Sequence, residues 1–177
     1  MQNVGGMWLP DGDEHFAKTF AVDGHYHQEE LIDLAMPYVK DQRLAFDVGA
    51  HVGYMTKKML EYFDRVVVWE AARSNCECLM KNVDMSRVEI NQWAVGCYFG
   101  FTDLRNPAPG NSGAWETVGD AGPIGVCSLD DKLATAAIWP GLVKIDVQGS
   151  EAAVLRGGAR MLRHTKPVII IEANDNN

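Results

Sequence analysis

Leu44-Ala45-Phe46-Asp47-Val48-Gly49-Ala50-His51-Val52-Gly53 is an apolar run that breaks into a glycine-bearing turn. After it, Val52, Met55, Met59 and Phe63 fall at helical spacing, and Val66-Val67-Val68-Trp69 forms a second apolar run ending in Glu70. Strand, turn, amphipathic helix and strand in this order predict a nucleoside-binding α/β unit. Such a turn lets a ligand approach bare backbone, and the helix start offers free N–H groups. Glu70, 23 residues after Asp47, suits a ribose diol.

The match to the dinucleotide fingerprint fails in detail. Counting G-x-G-x-x-G from Gly49 puts His51 and Tyr54 where glycines belong, so a pyrophosphate would meet two side chains. A ligand with ribose and no phosphate, such as S-adenosylmethionine, fits better.

Composition bounds the rest. A chain of 177 residues, 47% hydrophobic and 23% charged, is expected to be one domain spanning 1–177. A net charge of −8 argues against nucleic-acid or anionic-membrane partners, which need positive surface. No run reaches the ~18 apolar residues of a membrane span, and no basic-then-apolar leader opens the chain. Cys76, Cys78, Cys97 and Cys127 lie at no disulfide or zinc spacing, as expected of reduced thiols in a cytoplasmic protein.

Along the chain, residues 1–27 are expected to be irregular, with turns at Pro10-Asp11-Gly12 and Asp23-Gly24. Glu29–Lys40 reads as a helix with Leu31, Leu34, Ala35 and Tyr38 on one face, interrupted by Pro37. Ser74 is the expected cap of the next helix, whose apolar face is Cys76, Leu79, Met80 and Val83. Val88–Trp93 is a weaker third strand. Residues 96–128, rich in glycine and proline, read as an antiparallel β-rich insertion between the third and fourth core strands. A short helix at Asp130–Ile138, a strand at Leu142–Val147, a helix at Ser150–Leu162 capped by Ser150, and a strand at Val168–Ile171 complete the alternation. The prediction is an α/β, doubly wound, mostly parallel sheet. Ligands on such sheets lie outside the carboxyl ends of strands at the switch point, here beside Asp47, Glu70 and Asp146. An exposed final strand would invite aggregation, so residues 13–22, which alternate like a strand, or a second copy in a homodimer, are expected to cover it.

With Asp47-Val-Gly-Ala-His-Val-Gly53, Trp69-Glu70-Ala71, Trp93-Ala94-Val95-Gly96, Lys144-Ile-Asp-Val-Gln-Gly-Ser-Glu151, Val154-Leu-Arg-Gly157 and Lys166-Pro-Val-Ile-Ile-Ile-Glu172, the chain resembles the FkbM family of class I S-adenosylmethionine-dependent methyltransferases. The blocks stand in family order over roughly residues 26 to 172. The resemblance implies a Rossmann-like core, S-adenosyl-L-methionine as cofactor, and O-methylation of a hydroxyl on a sugar or other small molecule. Two departures stand out. Gln148 replaces a Glu usual in the family, and the chain stops five residues after Glu172, where class I folds add a helix and an edge hairpin. Substrate-binding pieces are then missing or supplied elsewhere.

The expected cofactor residues are Tyr26, Asp47, Gly49, Ala50, His51, Gly53, Glu70, Ala71, Ala94 and Val95. Glu70 would accept from both ribose hydroxyls, with Ala71, Ala94 and Val95 flanking adenosine. Asp47 would accept from the cofactor ammonium, directly or through water, and Gly49 would let the methionine part lie on backbone. The plainer alternative is that these residues only shape a tight strand-to-helix turn. His51 would contact cofactor through its backbone N–H while its ring roofs the pocket or faces substrate, or it is a solvent-side or packing histidine. Tyr26 would lie near the cofactor carboxylate, or on the surface. Asn111-Ser112-Gly113 would line the substrate side, although a plain turn is the simpler reading.

Asp146, close to the reacting methyl, is the expected catalytic carboxylate. Its alternative is an acid at a helix start, which also explains Glu151. No metal is expected, although Asp146, Glu172 and Asn174 would make an oxygen-ligand set for a divalent ion. Two other readings compete. One is a truncated, non-catalytic nucleoside binder. The other, an NAD-linked oxidoreductase, is disfavoured by His51 and by the lack of a second catalytic domain.

Overall fold

Leu44–Val48 (β3) is buried at every position, as a strand covered on both faces must be. In the computed structural model, which describes residues 1–23, 28–133 and 139–172, this strand is the centre of a five-stranded parallel sheet. Arg65–Trp69 (β4) pairs with one side of β3 and Val88–Asn91 (β5) lies beyond it. Leu142–Ile145 (β10) pairs with the other side, and Val168–Ile171 (β11) forms the far edge. The order β11-β10-β3-β4-β5 reverses direction between β3 and β10. That is the switch point of a doubly wound sheet.

Successive side chains on each strand serve opposite layers. Ala45, Val66, Val68 and Leu142 pack with Ile32, Met55, Met59, Phe63 and Leu79 on one face. Phe46, Val67, Trp69, Val143 and Ile145 pack with Leu129, Val154 and Met161 on the other. The first layer comes from Glu29–Ala35 (α2), Tyr54–Met59 (α3) and Arg73–Asn82 (α4). The second comes from Leu129–Leu133 (α5), Glu151–Gly157 (α6) and Ala159–Thr165 (α7). Between β5 and β10 lies the insertion: Ala94–Val95 (β6), Gly100–Arg105 (β7), Glu116–Val118 (β8) and Ile124–Cys127 (β9). Its order is β6-β9-β7-β8, antiparallel except for the β6–β9 pair.

Several expectations are corrected. Residues 1–23 are regular rather than irregular: Gln2–Val4 (β1) and Met7–Leu9 (β2) form a hairpin, followed by the helix His15–Asp23 (α1). Gly5 and Gly6 both take positive φ in the two-residue turn, the conformation for which Gly-Gly is a hairpin signal. The strand-like alternation at 15–20 is outweighed by Phe16 and Phe20, four apart, which with Met7, Leu9, Val52 and Cys78 build a third apolar cluster. This helix therefore packs on the hairpin and does not cover β11, where Ile169 and Ile171 are 40% and 39% exposed.

The helix at 29–40 ends as an α-helix at Ala35 and passes into a 3-10 turn, Met36–Tyr38, that holds Pro37. It buries Ile32 and Ala35, while Leu34 and Tyr38 are 68% and 74% exposed. On so short a helix both stripes have helical spacing, and docking selects one. Ser74 lies inside α4, whose N-cap is Ala72 without a side-chain bond, and Cys78 is buried where Met80 is exposed. Ser150 is an N-cap whose hydroxyl pairs with Thr117 Oγ1 (3.0 Å) and makes no capping bond, and the following segment divides at Gly158 into α6 and α7. Gly157 fits because an added Cβ would lie 1.9 Å from the Gly96 carbonyl oxygen.

Candidate active site

The strand ladders continue one residue past the C-terminal edge of the sheet. Glu70 N–H donates to Asn91 O (3.1 Å), Asp146 N–H to Val48 O (3.0 Å) and Glu172 N–H to Ile145 O (3.1 Å). Three acidic residues are thereby held along one rim, and all three line a cavity of about 280 Å³. The insertion and α1 supply its other walls, through Ser112, Trp115 and Phe16 among others.

Glu70 is buried and already organised. Its Oε1 accepts from the Ala72 N–H (2.8 Å) and Asn75 Nδ2 (3.3 Å), and its Oε2 accepts from the His51 N–H (2.8 Å). Burial pushes its carboxyl upward, opposed by those donors. Of a carboxylate's roughly four lone-pair sites, these donors take three, which leaves one on Oε2 for a ligand hydroxyl. Asn75, also a lining residue, donates to Ser112 O (2.9 Å), and its buried Oδ1 has no hydrogen-bond partner among the described residues. A ligand hydroxyl or amine would satisfy it.

Asp146 faces a proton-sharing arrangement. Gln148 Nε2 donates to Asp146 Oδ1 (2.7 Å) and to Glu172 Oε2 (3.0 Å). For Asp146, burial raises the pKa, but the Lys144 ammonium 3.6 Å away and the bonds from Glu172 and Gln148 outweigh it and lower it. Glu172 is raised to about 7, chiefly by its hydrogen bond with Asp146 and then by burial. The pair thus holds one proton below neutral pH. Asn174 lies outside the described residues, and among the described residues no three His, Cys, Asp or Glu gather as a metal cage.

Asp47, Gly53 and the turn backbone depart from their expected roles. The sheet register sets Asp47 beside Lys144, and Asp47 is 0% exposed. It accepts from Thr56 Oγ1 (2.6 Å) and lies 3.3 Å from the Lys144 Nζ, so it does not line the cavity. Lys144 also donates to Gly49 O (2.7 Å). Burial disfavours the Lys144 ammonium, yet Asp47 and Asp146 overcome it and raise its pKa. Gly53 starts α3 away from the cavity, where a Cβ would press on Leu79 at 2.8 Å. The N–H groups of Gly49 and Ala50 both donate to Trp69 O, at 2.8 and 3.0 Å, and that of Gly53 to Ala50 O. With the His51 N–H on Glu70, these N–H groups of the turn are engaged within the protein, against the expectation of free donors.

Gly49, Ala50, His51, Glu70, Ala71, Ala94 and Val95 do line the cavity, as does Asp146. Tyr26 lies outside the described residues. Ser112, expected in a plain turn, lines the cavity too, as do its neighbours Asn111 and Gly113. Asp13 and Asn75 carry no signal in the sequence for their places at the site.

Residues 47–177 match the family described as the methyltransferase FkbM domain. The chain belongs to that family. Among solved structures, an FkbM methyltransferase from Methylobacillus flagellatus is similar over 75% of this chain, with 23% identity and a TM-score of 0.53. The present chain covers 33% of that protein. A precorrin 8w decarboxylase from Methanobacterium thermoautotrophicum matches 82% of this chain and 62% of its own, with 16% identity and a TM-score of 0.48. A precorrin-6y C5,15-methyltransferase from Geobacter metallireducens matches 81% and 61%, with 13% identity and a TM-score of 0.48. No curated protein matches. For this FkbM chain, the first likeness establishes the fold, and no helix among the described residues is long and apolar enough to cross a membrane.

Proposed function

We propose that this FkbM-family chain binds S-adenosylmethionine and methylates a hydroxyl of a sugar or other small molecule. The observation that carries this reading is the buried Glu70 carboxylate at the end of β4, opening on a cavity rimmed by two further carboxylates, Asp146 and Glu172. An acidic wall favours a cationic sulfonium and disfavours an anionic pyrophosphate. The cavity's lysine ammonium, Lys144, is held by Asp47 and the Gly49 carbonyl and is not free for phosphate.

S-adenosylmethionine would supply an electrophilic methyl group. Glu70 would accept from a ribose hydroxyl through the open site on Oε2, and Ala71, Ala94 and Val95 leave room for the base. Asp146 is the proposed acceptor of the hydroxyl proton. Its lowered pKa keeps Asp146 ionised and able to accept at neutral pH, and Glu172 beside it, raised to about 7, can hold the proton once it is taken. Walls from α1 and the insertion limit access of water and hold the acceptor in line.

Calorimetric titration with S-adenosylhomocysteine and with NAD tests the reading. Wild type should bind the first and bind NAD far more weakly. Glu70→Ala should lose about 2–3 kcal/mol, at least tenfold in affinity, with a melting curve run alongside because Glu70 also braces the turn. Tight NAD binding, or no binding of S-adenosylhomocysteine, would defeat it.

A further inference from the structure

Three segments far apart in sequence meet in one hydrogen-bonded line that ends on the cavity wall. Asp13 precedes α1, Ser112 lies in the insertion, and His51 sits on the β3–α3 turn. Asp13 and Ser112 are both buried. Asp13 Oδ1 accepts from the Phe16 N–H (2.8 Å), and Oδ2 accepts from the Ser112 N–H (3.1 Å) and from the Ser112 hydroxyl. A carboxylate can only accept, so the single hydroxyl proton points to Asp13. Ser112 Oγ then meets His51 Nε2, 2.6 Å away, with a lone pair. The ring proton is therefore on Nε2, and Nδ1 carries the lone pair.

This imidazole is held in place. Its backbone has φ of 52°, unusual for a residue other than glycine. The bond from its N–H to Glu70 and a ring contact with Phe16, 4.5 Å between centroids, fix it there. Burial dominates its titration. Asp13 and Asp146 favour the imidazolium, Lys144 and His15 oppose it, and the balance lowers the pKa to about 4. The ring is uncharged at neutral pH. Among the described residues nothing hydrogen-bonds to Nδ1.

A neutral acceptor on an acidic wall, next to the ribose carboxylate, suits a ligand N–H donor. The N–H groups of Gly49, Ala50 and His51 cannot serve as ligand donors because they are engaged. We propose that the His51 imidazole, oriented by Ser112 and Asp13, accepts from the α-ammonium at the amino-acid end of the cofactor. This rests on the reading of the cavity as an adenosyl-sulfonium site. Asp13 precedes residues 47–177, the span that matches the family, so the relay draws on a segment outside that match.

The test compares two ligands that share adenosine and sulfur: S-adenosylhomocysteine, and 5′-methylthioadenosine, which lacks the amino-acid end. His51→Phe keeps a ring against Phe16 and should weaken S-adenosylhomocysteine about tenfold, with methylthioadenosine unchanged. Ser112→Ala keeps the backbone bonds to Asp13 and Asn75. It should weaken the same ligand severalfold and erase the Nε2–H tautomer from the ring ¹⁵N NMR spectrum of wild type. Lowering the pH toward 4 should cost wild type affinity for S-adenosylhomocysteine more than for methylthioadenosine. Equal weakening of both ligands by both variants, or no weakening of S-adenosylhomocysteine, would overturn the assignment. If wild type binds neither ligand, the proposed function falls and this inference with it.

Discussion

Gly49 shows how much a single position can be asked to do. Its φ is 78°, and an added Cβ would lie 1.7 Å from the Asp146 carbonyl oxygen. The glycine is thus required by the approach of β10 to β3, whatever a ligand asks of it. Glu70 was legible as a carboxylate ending an apolar strand. Its Asn75 and His51 partners were not, because hydrogen bonds across 5 and 19 positions depend on how the turn and α4 close over it. Glu172 carries a prediction. Its carboxyl is raised from 4.5 to about 7, so between those values the folded chain holds a proton that the unfolded chain has released. The stability it contributes is full below about pH 4.5 and lost as pH rises through 7. Glu172→Gln should flatten that alkaline decline in melting temperature between pH 4.5 and 8. An unchanged pH slope would contradict the shared proton.

At the scale of elements, type was easier to read than facing. The apolar runs that make β3, β4, β10 and β11 were all visible, since a buried parallel strand is apolar on both sides. Which stripe of a two-turn helix goes inward was not, as α2 shows with Ile32 buried and Leu34 exposed. The N-terminal hairpin is tied to the core by one side chain near the end of α4. Asn82 accepts from the Trp8 N–H (2.8 Å) and donates to Trp8 O (2.9 Å) and Val52 O (2.7 Å). Asn82→Ala should therefore leave three backbone groups without their partner. The expected cost is about 2 kcal/mol, or a fall of roughly 4–8 °C in melting temperature, measured by circular dichroism. A change below 1 °C would mean that the hairpin docks through its apolar contacts alone.

Across the whole molecule, α1, the sheet and the insertion share walls around one cavity, and the hairpin packs against α1. Asp13 to Ser112 to His51 joins three of these parts, and Gly157 against Gly96 joins α6 to the start of the insertion. We propose that residues 1–177 unfold as one unit. Calorimetry should then give a single transition with equal calorimetric and van't Hoff enthalpies, whereas two transitions would divide the chain. The sequence by itself determined the α/β alternation, the order of the core elements and the carboxylate after β4. These follow from side-chain periodicity and from turn residues, which act over a few positions. Only the tertiary structure decided that Asp47 is turned into the interior against Lys144, that His15 and Phe16 build part of the wall, and that Ser112 meets His51. Those outcomes depend on sheet register and on packing between segments up to 99 residues apart. No local pattern encodes such distances, because the chain can satisfy the same local preferences with its segments docked elsewhere.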